Sequence, residues 1–299
     1  MTPIRTLTLA TALLAACGQQ AATAVPGQSA IASVQHPDSG RLAVDFLEQV
    51  YTRHQVDAAQ NALDEHFIQH DPSVPDGKQA TVDALRTYLS AHPQASIQVK
   101  RVIADGNLVL VHSNYHQTPG DLGTAGIDLF RVRRGKLVEH WEAMQPVPAK
   151  SANGHTMFDS VYPDGTRVDL RTLQRDKLAS VVYLKQLFDP AQIDRAVQTY
   201  LPERGYIQHN PNIPDGAQAL LTGLKMGYQQ GMVLKADVRH VVGQRDLVAL
   251  FSHYTGSSPQ GSFESVTVDL FRFKDGQIIE HWDVSQPLAG QPANPNGQF

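Results

Sequence analysis

The chain has 299 residues, a formal net charge of -4, 41% apolar residues and 18% charged ones. That composition belongs to a folded globular protein, not a disordered one, and the length suits two domains of ordinary size. A small negative charge without a basic stripe excludes binding driven by phosphate contacts, so no nucleic-acid partner is expected.

The first residues read as a secretion signal. Met1 to Ala16 carries one charge, Arg5, followed by an apolar run that ends at Leu13 and Leu14. The run is too short to span a bilayer and suits a signal-peptide core. It leads into Leu14-Ala15-Ala16-Cys17-Gly18, which resembles a bacterial lipobox with Cys17 as the lipidated residue, so residues 1–17 read as a signal peptide with a lipobox. An ordinary signal peptide cleaved near Ala22-Thr23-Ala24 is the alternative. Cys17 is the sole cysteine of the sequence, which leaves neither an internal disulfide nor a cysteine nucleophile. The expected location is the periplasmic side of a bacterial cell envelope, with lipid at Cys17 as the only membrane contact; a soluble periplasmic or secreted protein is the alternative. Residues 18–40, rich in Ala, Ser, Gln, Pro and Gly, read as a flexible tether.

Beyond the tether the sequence repeats itself. IQHDPSVPDG, from Ile68 to Gly77, returns as IQHNPNIPDG, from Ile207 to Gly216. IDLFRVRRGKLVEHWEAMQP, from Ile127, returns as VDLFRFKDGQIIEHWDVSQP, from Val268. Such spacing marks one duplicated domain rather than a solenoid. In the first copy, Leu42, Phe46, Leu47, Val50 and Tyr51 follow a helical stripe, as do Leu178, Val181, Val182, Leu187 and Phe188 in the second. Second helices are expected at Asp57–Phe67 and Ala191–Leu201, and third helices at Gln79–Ala91 and Gln218–Gln229. Four strands follow, near Ile97–Ala104, Leu108–His116, Gly126–Arg133 and Lys136–Gln145, with Arg134-Gly135 and Asp275-Gly276 turning the last hairpin of each copy. Each copy is thus α+β, helices first and then an antiparallel meander. The expected domains are 41–148 and 173–289, joined by a linker at 149–172 and followed by a disordered tail at 290–299.

Helices, a His-Asp/Asn-Pro turn and a meander ending in D-L-F-R-x-x-x-G-x-x-x-E-H-W-D/E resemble the SnoaL-like polyketide cyclases. That group belongs to the nuclear-transport-factor-two-like superfamily, together with ketosteroid isomerase. The resemblance covers both domains and implies two tandem cone-shaped domains, each with three helices packed on a curved antiparallel sheet around an apolar pocket. It also implies dimeric use, so the two copies could pair within one chain as a pseudo-dimer. Enzymes of the superfamily mostly take a proton beside a carbonyl and stabilise the enolate, which needs a base and a hydrogen-bond donor but neither metal nor cofactor.

Both copies offer groups for such chemistry. His70 and His209 sit in the repeated turn. Period-two counting puts Asp128 on the face of Phe130 and Val132, and Asp269 on that of Phe271 and Phe273, where burial would raise a carboxyl pKa. His140 and Glu142 share a face, as do His281 and Asp283. Trp141 and Gln145 lie opposite, as do Trp282 and Gln286, and these four are candidate substrate contacts. Tyr115 and Tyr254 are candidate hydrogen-bond donors. The resemblance makes the acid after His-Trp, Glu142 or Asp283, the acid/base residue, and its His-Trp-Asp form favours the second copy. Blander roles stand beside these: His70 as a brace of its turn, Asp128 paired with Arg131, the tryptophans as core, His140 and Glu142 as a solvated face.

Other chemistries are poorly served. No G-x-S-x-G elbow and no phosphate-binding glycine loop occurs. His112 with His116, and His66 with His70, have ligand-like spacing, but the second copy has Phe251, Thr255, Gly205 and His209 there, so no metal site common to both copies is expected, and one in the first copy alone stays open. Two functions remain: a cofactor-independent acid/base enzyme of cyclase, aldol or isomerase type on a small apolar carbonyl compound, or a non-catalytic envelope lipoprotein that binds a hydrophobic molecule or a protein.

Overall fold

The computed structural model describes residues 37–162 and 165–299. Cys17, the expected signal peptide, residues 18–36 of the expected tether, and Pro163 and Asp164 of the expected linker lie outside the described residues. The first half runs α1 (Pro37–Tyr51), α2 (Val56–Ala59), a 3-10 turn (Gln60–Ala62), β1 (Leu63–Gln69), α3 (Lys78–Ala91), β2 (Ser96–Asp105), β3 (Leu108–His116), β4 (Thr124–Arg133) and β5 (Lys136–Pro146). The second runs α4 (Leu170–Leu187), α5 (Ile193–Tyr200), β6 (Ile207–Gln208), α6 (Ala217–Gln229), β7 (Val233–Gln244), β8 (Leu247–Ser258), β9 (Gly261–Lys274) and β10 (Gln277–Pro287). Each half is an α+β cone with its own five-stranded sheet, ordered β1-β5-β4-β3-β2 and β6-β10-β9-β8-β7. Among the described residues no helix is long and apolar enough to cross a membrane.

The sequence explains most of these elements. Arg134 and Gly135 both have positive φ (50° and 71°), as do Asp275 and Gly276 (53° and 84°), which is the backbone that a two-residue primed hairpin turn requires. Register shifts between Val99 and Arg101 in β2, and between Val238 and His240 in β7, bend both sheets at the same place. The concave faces close over the helices in two separate cores, one including Phe46, Leu47, Val50 and Phe130, the other Tyr183, Leu184, Leu187 and Phe271.

One helix was expected where a strand forms. Residues 63–69 pair in parallel with β5, Ile68 beside Glu139 and Gln69 beside His140. Leu63, Phe67 and Gln69 are buried while Glu65, His66 and Ile68 are exposed, an alternation that helical counting mistook for a continuation of α2. His66 and His70 therefore do not share a helix face. Helix α1 also begins at Pro37, inside the expected tether.

The convex faces pack against each other. Ile127, Leu129, Trp141 and Ala143 of one sheet meet Ala249, Val268, Leu270 and Trp282 of the other in a third core between the halves. Reciprocal hydrogen bonds cross this seam: Met144 N donates to Gln286 Oε1 at 2.7 Å, and Ser285 N to Gln145 Oε1 at 2.8 Å. The linker and the C-terminal segment exchange in the same way. Ala152 N donates to the Pro211 carbonyl and Ala293 N to the Pro72 carbonyl, both at 2.7 Å. The tail expected to be disordered is instead docked, with Asn294 buried and both Asn294 and Asn296 hydrogen-bonded to the first half.

Candidate functional site

The turn after β1 is built by its own side chains. Gln69 N donates to Asp76 Oδ1 at 2.9 Å, and Ser73 N to Asp71 Oδ1 at 2.7 Å. Gly77 takes φ 96°, which disfavours any residue with a Cβ. Gln208, Asp215, Asn210, Asn212 and Gly216 repeat this pattern in the second half. The recurring Pro-Asp-Gly is therefore a requirement of the backbone.

His70 and His209 face away from the cones. His70 lies flat on Trp141, ring centroids 4.8 Å apart, with Nε2 on Glu139 Oε1 at 3.0 Å and Nδ1 on the Gly297 carbonyl at 2.8 Å. His209 stacks on Trp282 at 4.9 Å, bonded to Glu280 and to the Thr156 carbonyl. Both brace the turn against the seam between the halves. Burial opposes ionisation of Glu139, yet hydrogen bonds from His70 and Arg131 hold its pKa below the usual value. Trp141, Trp282, Gln145 and Gln286 also belong to that seam, because alternation along a strand sends them to the convex face. As substrate contacts they are corrected.

Asp128, His140 and Glu142 point the other way, into the first cone. Tyr115 Oη donates to Asp128 Oδ2 at 2.5 Å, and His140 Nε2 meets Asp128 Oδ1 at 3.0 Å. His140 Nδ1 lies 2.9 Å from Gln69 Oε1, which also accepts the Asp71 N–H, so that nitrogen is the donor. A proton is thereby held between His140 and Asp128, and the Arg131 pairing expected for Asp128 is absent, Arg131 binding Glu139 instead. Beside them is a cavity of about 390 Å³, walled by Phe46, Leu47, Tyr51, Phe67, Tyr88 and Phe130, with Asp71, Asp128, His140 and Glu142 as its ionisable polar groups. Burial, then the charges of Asp71 and Asp128, raises the Glu142 pKa well above the usual carboxylate value. Burial together with Asp128 and Glu142 raises that of Tyr51, keeping the phenol protonated.

The second cone repeats the network but not the space. His281 Nε2 meets Asp269 Oδ1 at 3.1 Å, Tyr254 Oη donates to Asp269 Oδ2 at 2.7 Å, and Asn210 Nδ2 to Asp283 Oδ2 at 2.6 Å. The cavity there is about 20 Å³, room for about one water and no more. Tyr183, Tyr206 and Leu220 fill what Phe46, Phe67 and Thr81 leave open. The expectation that favoured the second copy is thus reversed by volume. In both halves one oxygen or nitrogen from each member of Asp128, His140, Glu142, or of Asp269, His281, Asp283, lies within 4.8 Å of the others, spacing that could also hold a divalent ion. Sequence reasoning missed Tyr51, Asp71 and Tyr88 as cavity residues. The repeat carried one signal: Asp71 aligns with Asn210 and Tyr88 with Gly227, differences inside an otherwise retained frame.

Residues 43–140 match the SnoaL-like domain family. No curated protein matches the chain. Among solved structures, the chain is similar to an NTF2-like protein of unknown function from Mesorhizobium loti (18% identity, 36% of this chain and 91% of that one, TM-score 0.32). It is similar also to an LEH-like epoxide hydrolase from M. tuberculosis (13%, 38% and 85%, 0.34) and to TsrD from Streptomyces laurentii (18%, 40% and 92%, 0.32). None of the three bears on activity.

Proposed function

We propose that the first half is a SnoaL-like, cofactor-independent acid/base catalyst acting on a small, largely apolar carbonyl compound, and that the second half is its structural partner. The observation that carries this is Glu142, a carboxyl without a hydrogen-bond partner among the described residues, on the wall of an aromatic cavity. A carboxylate there is a stronger base than one in water, because desolvation and two neighbouring acids favour its protonated form. Glu142 takes the proton beside the carbonyl and returns it elsewhere. The Tyr51 phenol supplies a hydrogen bond to the oxyanion, and the Asp128–His140 pair, fixed by Tyr115 and Gln69, orients the wall around it. The cyclase, aldol and isomerase variants of this chemistry share the same first step.

Solvent-deuterium incorporation beside the carbonyl of small aryl ketones, aryl amino-ketones and β-dicarbonyls, followed by NMR, tests it. Wild-type protein is expected to accelerate exchange, with the rate rising as pH passes the raised Glu142 pKa. Glu142→Gln should lower the rate about 100-fold or more, as loss of a general base does, while Asp283→Asn leaves it unchanged. No acceleration by the wild type across the set, or equal loss in both variants, refutes the reading. The same proposal tethers the enzyme to the envelope through lipid at Cys17, supported by the Leu-Ala-Ala-Cys sequence. Mass spectrometry of the mature N-terminus checks it, and an unlipidated terminus beyond Cys17 would overturn it.

A further inference from the structure

The polar lining of the open cavity is one-sided. Three carboxyl groups, Asp71, Asp128 and Glu142, face it, and neither lysine nor arginine does. Asp128 is already matched by His140 and Tyr115. Asp71 is not matched by any cation. Its Oδ1 accepts the N–H and the hydroxyl of Ser73, both at 2.7 Å, and its Oδ2 has no protein partner among the described residues. The remaining wall is aromatic, with Tyr51, Tyr88, Phe46, Phe67 and Phe130 turned toward the same space.

We infer that the ligand of this cavity carries a protonated amine, seated between Asp71 and the tyrosine rings, with its apolar body reaching toward Phe130. This rests on the functional reading above and names its substrate class: an amino-carbonyl compound rather than a carboxylic acid or a neutral ketone. Three physical terms point the same way. An ammonium gains a charge-assisted hydrogen bond to Asp71 Oδ2. It gains ring-face attraction from tyrosine and phenylalanine. A carboxylate ligand would instead meet the unmatched Asp71 without a compensating arginine or lysine, a like-charge arrangement that costs affinity. The second half supplies an internal contrast. Asn210 stands where Asp71 does and hydrogen-bonds Asp283, in a cone with no room for a ligand. The added charge occurs only where the space does.

The test is calorimetric titration of the chain from residue 18 onward, in EDTA at pH 7.5, with 2-phenylethylamine, 2-phenylethanol and phenylacetate. These three differ only in the polar end. The amine is expected to bind about 10-fold or more tighter than the alcohol, with phenylacetate weaker than both. Asp71→Asn suits the turn, because Asn occupies the equivalent position 210. It should reduce the amine's advantage to about 3-fold or less and leave the alcohol's affinity unchanged. Equal or tighter binding of the alcohol or the carboxylate overturns the inference, as does an amine advantage that survives Asp71→Asn. Deuterium exchange is read separately, on Glu142→Gln. An amine preference without exchange would sink the catalytic reading alone, and exchange without an amine preference would sink only this inference.

Discussion

Asn294 and Asn153 hold the same position on opposite halves of the molecule. Asn294 Nδ2 donates to the carbonyls of Asp71 and Val74 at 2.6 and 2.9 Å, and Asn153 Nδ2 to those of Asn210 and Ile213 at 2.7 and 3.0 Å. Each half is thus finished by the segment that follows the other. In the first half the carbonyls so held belong to residues that line the open cavity. Asn294→Ala removes two buried hydrogen bonds and should lower stability by about 1–3 kcal/mol. Amide hydrogen exchange at Asp71–Val74 should quicken more than in the strands, and ligand affinity should fall. Unchanged protection of the turn would show that Asn294 is dispensable.

Asp283 gives a pH-dependent prediction. Burial, with Asp269 opposing its charge, raises its pKa from 3.8 to about 6 despite His281 and Asn210. The folded state therefore binds this proton more tightly than the unfolded chain. The associated stability is complete below about pH 4 and is lost as pH rises through about 6. Asp283→Asn keeps an acceptor for Asn210 without the charge. Relative to wild type it should gain up to about 2–3 kcal/mol between pH 4.5 and 7.5, from a shift of about two pH units. Urea denaturation at the two pH values decides it, and a pH-independent difference would contradict the buried charge.

Thr81→Leu places in the first cone the residue that helps close the second. Ligand binding should be lost or weakened about 10-fold or more, with stability changed little, since leucine at 220 shows that the helix tolerates it. Unchanged affinity would mean that the ligand does not reach α3.

Trp282 is fully buried in the seam, its Nε1 donating to the Asp159 carbonyl at 2.8 Å and the Arg101 guanidinium 3.9 Å from its ring centroid. Trp282→Ala should cost about 3–5 kcal/mol. If the halves unfold as one unit, denaturation stays a single transition at lower urea; two transitions would show that the seam does not couple them.

Much of this architecture was readable from the repeat. Matching spans pointed to two domains, and alternation put Asp128 on one face with Phe130 and His140 on one face with Glu142. Alternation cannot say which face is covered by helices and which by another sheet, so Trp141 and Gln145 read equally well as pocket wall or as seam. The turn histidines were undecided for a similar reason. Their orientation is set by Gly297 and Thr156, residues far away in sequence or outside the matched spans. Strand β1 was lost because seven residues of mixed alternation follow directly on a helical turn. The difference in volume was out of reach, since it depends on how Tyr183, Tyr206 and Leu220 meet in space. The tail looked disordered by composition, yet asparagine and glycine are the residues that cap carbonyls and turns on another domain.

Fusion of the two cones releases them from symmetry. In a homodimer any substitution appears twice, so a residue that closes one cavity closes both, and a void needed for a ligand weakens both subunits. Here the two interiors vary separately. The second half keeps the Asp269–His281 pair as fixed framework, packs its centre solid, and gains the dispersion contacts that an empty space forfeits. The first half keeps the vacancy. The chain should therefore saturate at one ligand per 299 residues, with neither half-of-sites behaviour nor cooperativity to be sought.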